Sequence, residues 1–264
     1  MKDALARAAG ADRHLDLRDL LDQLLAAGRV LPADVERLTL SPRSRENAGL
    51  HPVTYLGAQE LHDPARDNKT HSDETLMHWL AEATGQKFYR IDPLKINVAA
   101  ITEVMSFAFA KRHQILAVEV EADEVVIASA EPFVGEWQSG LEHVTRKRVV
   151  RVLTTPAELS RYMLEFYGLA RSISGASAPS RARTGGVLSN LEQMLELGNL
   201  QDPDANDQHI VSIVDWLLQY AFDQRASDIH LEPRREIGRV RFRIDGVLHA
   251  IYELPIQVAA AVTS

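Results

Sequence analysis

Residues 169–186, LARSISGASAPSRARTGG, constrain this chain more than any other stretch, because their composition does not belong in a packed core. Fourteen of the eighteen are Ala, Ser, Gly or Arg and none is aromatic. The apolar surface they offer does not offset the cost of ordering a backbone, ~1–2 kcal/mol per residue. The segment therefore reads as a flexible linker, with Arg171, Arg181 and Arg183 as solvated charge. The chain then has to fold as separate bodies on either side. Its 264 residues agree with that at roughly 150 residues per domain.

The N-terminal side divides again by pattern. Residues 1–85 read as a helical segment. Leu17, Leu20, Leu21, Leu24 and Leu25 recur at helical spacing ahead of Gly28, and Pro32 opens a second helix carrying Val35 and Leu38. Residues 41–74 are polar and irregular, and a helix over 75–84 follows a cap at Ser72 or Asp73 and stops at Gly85. Residues 86–168 read as a small α/β domain. Asn97 caps a helix reaching Lys111, with Val98, Ile101, Val104, Met105 and Ala108 on one face. Strands at 115–120 and 124–129 form a hairpin across Glu121-Ala122-Asp123. A helix follows Pro132, a third strand covers 148–153, and Thr155 with Glu158 makes a capping box for a last helix.

Residues 169–206 are the linker, with a short helix at 190–197 between Ser189 and Gly198 and an acidic spacer after it. Residues 207–264 begin a second domain. Its opening helix has Asn206 or Asp207 as cap and Ile210, Ile213, Val214, Leu217 and Ala221 as its apolar face. Strands follow at 228–232, 239–244 and 247–253. The last two are joined by Asp245-Gly246, a pair suited to the two positive φ angles of a type I′ turn. The apolar stretch after Pro255 runs to Ser264 in mid-pattern, so this domain reads as incomplete. The fold class is α+β: a helical N-terminal segment with a small α/β domain, a linker, then a helix with an antiparallel sheet.

Composition excludes several functions. With 29 Lys+Arg against 37 Asp+Glu the net charge is −8, the wrong sign for a general nucleic-acid coat. The absence of cysteine removes disulfides, thiolate metal sites and cysteine nucleophiles. Residues 1–7 do not form a signal peptide and no apolar run approaches a membrane span, so a soluble cytoplasmic protein is expected. There is no G-x-x-x-x-G-K-[ST], G-x-G-x-x-G or G-x-S-x-G. His230 and Asp228 share a strand face, but no third ligand stands at a metal-site spacing. Glu119, Glu121, Asp123 and Glu124 read as a solvated hairpin tip. No catalytic or metal residue is assigned.

The informative stretch is RASDIHLEPRREIGRVRFRIDGVL, residues 225–248. On a strand, Arg239, Arg241 and Arg243 project from one face while Val240, Phe242 and Ile244 project from the other. Two readings stay open from pattern alone: a solvated row balanced by Asp228, Glu232 or Glu253, or a row that meets an anion.

This stretch, ASDIH-x-EP followed by RFRIDGVL, resembles the N-terminal part of the hexameric ATPases of type II secretion and type IV pilus assembly, the GspE/PilB-like family. Residues 86–168 resemble that family's separate N-terminal domain around 108–113, 115–117 and 127–132. The resemblance covers roughly residues 80–168 and 207–264, with the chain ending before the family's Walker A core. It implies a regulatory and docking front end of a motor, without ATP turnover of its own, whose full-length parent binds ATP and Mg and forms a hexamer through the missing core. It also implies an inner-membrane platform protein as partner and a location on the cytoplasmic side of that membrane. Arg241 and Arg243 match the positions that reach a neighbouring subunit's nucleotide, a role that suits guanidinium forks. The alternatives are a cyclic di-GMP-sensing signalling module or a non-catalytic adaptor. Some relatives bind cyclic di-GMP through R-L-G-x-x-L-[VL]-x-x-G. Residues 19–28 keep Leu20, Leu24, Leu25 and Gly28 of that motif but carry Asp19 and Leu21 in place of its Arg and first Gly, so helical docking is expected there.

Overall fold

The computed structural model describes residues 12–40, 47–177 and 205–264. The helix expected at 190–197 lies outside the described residues, as does most of the expected linker. The chain divides into two compact units, residues 1–92 with 99–164, and residues 93–98 with 165–264.

In the first unit, the leucine pattern forms α1 (Leu17–Ala26), with Asp16 accepting the Arg18 and Asp19 N–H groups at its start. Gly28 follows at φ 65, where only glycine is unstrained. Helices α2 (Pro32–Leu40), α3 (Pro52–Gly57) and α4 (Asp73–Thr84) complete the helical layer. Ser72 caps α4 in a capping box closed by Thr75, and Gly85 ends it at φ 70. The region expected to be irregular holds α3 and a two-residue antiparallel ribbon, β1 (His62–Asp63) with β2 (Lys69–Thr70). Arg29 pairs with the buried Asp63 at 2.8 Å, and His71 Nε2 lies 2.8 Å from the Arg29 carbonyl. Leu20, Leu21, Leu24, Leu56, Leu76 and Leu80 share one core with Phe133 and Leu153.

The α/β layer is a four-stranded sheet in the order β3-β6-β5-β4. Strands β3 (Lys87–Phe88), β5 (Glu124–Ser129) and β6 (Arg148–Leu153) are mutually parallel in their pairings, and β4 (Ile115–Val120) is antiparallel to β5. β3 was too short to show in the sequence. The helix expected from Asn97 to Lys111 is two helices, α5 (Val98–Val104) and α6 (Phe107–His113). The break follows from chemistry: Met105 turns into the core and Ser106 accepts the Phe109 N–H at 3.2 Å, restarting the helix. Helix α7 (Trp137–Thr145) leads into β6.

Helix α8 (Pro156–Ser177) begins at the expected cap, with Thr155 Oγ1 accepting the Glu158 N–H at 3.2 Å. It then continues past Leu169 into the stretch read as linker. Tyr162, Phe166, Leu169 and Ile173 are buried along it, so the helical period persists through the Ala/Ser/Gly/Arg-rich composition. The division into units falls inside α8, between Leu164 and Glu165.

In the second unit, α9 (Ala205–Asp223) buries Ile213, Leu217, Tyr220 and Ala221. The sheet is antiparallel in the order β7-β8-β9: β7 (Asp228–Pro233), β8 (Ile237–Ile244) and β9 (Val247–Pro255). Asp245 and Gly246 take φ 49 and 81, as the hairpin turn requires. Helix α10 (Ile256–Val262) crosses β8 so closely that a Cβ on Gly238 would lie 2.3 Å from the Ala259 Cβ. Between β8 and β9 the register shifts once: Val240 faces Tyr252, but Arg241 faces Ala250. Ile251 is the extra residue of this bulge.

Candidate functional site

Strand β8 alternates as its sequence requires. Val240 and Phe242 are fully buried, with Phe242 5.6 Å from the Tyr220 ring, while Arg239, Arg241 and Arg243 are partly exposed on the opposite face. The register brings Asp228, His230 and Glu232 of β7 opposite Arg243, Arg241 and Arg239, so all six side chains share one sheet face.

Each guanidinium has a carboxylate. Arg239 Nη2 donates to Glu253 Oε1 at 3.1 Å, Arg243 Nε to Asp228 Oδ2 at 3.1 Å, and Arg241 Nη2 to Glu232 Oε1. Arg243 Nη1 reaches the Gly246 carbonyl at 3.4 Å, and its Nη2 lies 3.4 Å from His230 Nε2. Glu232 is shared with Arg234, 3.9 Å away. These are pairs at the water boundary, worth about 0–1 kcal/mol each, so an anion of higher charge can displace the carboxylates at small cost. Arg241 differs from its neighbours: its Nε is buried and has no acceptor among the described residues.

The carboxylates named in the sequence, Asp228, Glu232 and Glu253, are therefore the balancing partners of the arginine row. The sequence placed His230 on one strand face with Asp228, and its contact with Arg243 comes from the pairing of β7 with β8. Among the described residues, no three His, Cys, Asp or Glu side chains come together as metal ligands. The leucines of residues 19–28 are core: Leu20, Leu21 and Leu24 are buried, and Asp19 pairs with Arg13. No helix among the described residues is long and apolar enough to cross a membrane.

Residues 84–173 match the MshEN domain model, and residues 203–264 match the type II/IV secretion system protein model. The type IV pilus assembly ATPase TfpB of Acinetobacter baylyi is 44% identical over 253 residues, covering 94% of this chain and 42% of TfpB. The type II secretion system protein E of Xanthomonas campestris pv. campestris is 30% identical over 108 residues, covering 41% of this chain and 18% of that protein. A solved chain, "Structure of MshE with cdg", gives a TM-score of 0.41 at 19% identity over 58% of this chain and 99% of that one. The chain thus spans less than half the length of the curated relatives it matches. A match to the MshEN domain followed in sequence by a match to the type II/IV secretion system protein model, with 44% identity to TfpB along 94% of this chain, makes it a member of the type II secretion and type IV pilus ATPase family.

Proposed function

We propose that the chain is the regulatory and docking front of a hexameric motor ATPase that drives pilus polymerisation or protein export at the inner membrane. The first unit engages a platform protein on the cytoplasmic side. The second presents Arg241 and Arg243 to the phosphates of ATP, with its Mg, held on a neighbouring subunit's core. Identity to a pilus assembly ATPase along 94% of the chain favours pilus assembly over secretion.

One observation carries the nucleotide reading: a row of guanidiniums stands outward on a strand anchored by Phe242, held by exchangeable carboxylates, with Arg241 Nε unpartnered among the described residues. A phosphate offers the acceptors that Arg241 lacks and outcompetes Glu232 and Asp228 in charge. A guanidinium supplied across a subunit boundary stabilises transferring phosphoryl charge.

The test uses the full-length ATPase. Arg241→Ala or Arg243→Ala should reduce ATP turnover at least about tenfold, because such an arginine can contribute 10³ or more. The melting temperature of the 264-residue chain should stay within a few degrees, as exposed substitutions usually change stability by under ~0.5 kcal/mol. Unchanged turnover per folded subunit would assign both residues to the sheet alone.

A further inference from the structure

A groove of about 600 Å³ opens in the first unit between the α5–α6 corner and α7. Its floor is Met105, Trp137 and Leu141, all buried, and Phe109 forms part of its wall. Val144, on the last turn of α7, is 76% exposed at its edge. One turn earlier stands Gly140, where an added Cβ would meet nothing within 4 Å. The groove wall is therefore open at the centre of α7, and a partner can approach its backbone there.

The rim carries charge of both signs, Arg112 in the last turn of α6 and Glu136 just ahead of α7. Glu136 lies 3.7 Å from His113. The Arg112 guanidinium, exposed and lining the groove, has no ion-pair or hydrogen-bond partner among the described residues. The indole N–H of Trp137 is buried and likewise unpartnered among them.

The walls are helices, whose backbone groups are satisfied internally except at their ends. The groove offers no strand edge to extend, so a peptide that buries its backbone against this floor has to satisfy its own hydrogen bonds. That selects a helix. The apolar floor asks for apolar side chains at i, i+3, i+4 and i+7, and free Arg112 asks for a carboxylate on the flank. We propose that this groove is a docking site for one amphipathic helix of a partner protein, apolar on the inserted face and acidic where it passes Arg112. The inference deepens the docking half of the proposed function and rests on it.

The probe is a fluorescein-labelled, stapled 16-residue helix with a leucine face and glutamate flanks, titrated into the 264-residue chain by fluorescence polarisation. A twin peptide carries lysine in place of glutamate. The glutamate helix should bind roughly tenfold tighter than its twin, and Arg112→Glu should reverse the preference, since like charges at an interface oppose binding. Gly140→Arg projects into open space and should weaken binding at least about tenfold with the melting temperature unchanged. No saturable binding, or binding indifferent to both variants, would overturn the groove. So would a concentration-dependent dimer in sedimentation that Gly140→Arg abolishes, because the face would then join copies of this chain. In cells carrying the full-length ATPase, retained piliation with Gly140→Arg beside lost piliation on deleting residues 12–164 would refute the groove and leave the docking function standing.

Discussion

Strands β5 and β8 are close in length and opposite in what they expose. Val125, Val126, Ile127 and Ala128 of β5 are buried without alternation, because the parallel strands of that sheet are covered on both faces. Along β8 burial alternates strictly, Val240 and Phe242 inward, Arg239, Arg241 and Arg243 outward. A strand covered on both sides contributes stability and has no side chain left for a partner. A strand covered on one side yields half its burial and keeps a row of side chains for chemistry. The contrast explains why the first unit offers a groove between helices, whereas the second offers a strand face.

Three experiments bear on this contrast. The largest effect belongs to β5. Ile127 and Ala128 point to opposite faces and both are fully buried, so Ile127→Lys and Ala128→Lys should each bury an unpaired ammonium. Either should cost upwards of about 5 kcal/mol, comparable with the stability of a whole domain. Circular dichroism of each variant is the check, and a native spectrum for Ala128→Lys would mean that one face of the sheet is open.

Next comes the single aromatic of the one-sided strand. Phe242→Ala should cost about 3–4 kcal/mol by chemical denaturation, through lost burial and a cavity against Tyr220. A loss below about 1 kcal/mol would mean that β8 is held by its arginine pairs rather than by its buried face.

Acid should produce the smallest effect, confined to the first unit. Burial is the main influence on His51 and lowers its pKa below the ordinary 6.5, against the pull of Glu131 and Asp73. The unfolded chain then takes up the proton more readily. The stability contribution is complete above pH 6.5 and is lost as pH falls below that value toward the folded pKa. His51 Nδ1 also accepts the Val53 N–H at the start of α3. His51→Asn keeps an acceptor there and should flatten the decline in melting temperature between pH 6.5 and 5. An equal decline in wild type and variant would assign the acid sensitivity to other groups.

What could be read from the chain followed local chemistry. The Asp245-Gly246 turn, the Thr155 cap and the alternation of β8 are each fixed by adjacent residues, and each stands as expected. The break at Met105-Ser106 was concealed because its apolar positions keep helical spacing while Ser106 competes as a cap. The continuation of α8 to Ser177 was concealed by composition, although Leu169 and Ile173 extend the stripe of Tyr162 and Phe166. The three carboxylates of the arginine row were legible, but which arginine each one meets depended on strand register. The groove beside Arg112 depends on two helices far apart in sequence, for which no local pattern exists.

The bulge at Ile251 gives β9 an uneven tolerance of length change. Pairing on one side of it runs through Glu253 with Arg239, and on the other through Ala250 with Arg241 and Leu248 with Arg243. Removing Ile251 would leave both stretches in phase with β8 and regularise the strand. Removing Val247, next to the Asp245-Gly246 turn, would shift Leu248 and Ala250 to the opposite face, because strand side chains alternate with a period of two. Among homologous chains, gains and losses of one residue in this strand should therefore gather at position 251, while the distance from the turn to the arginine row holds constant.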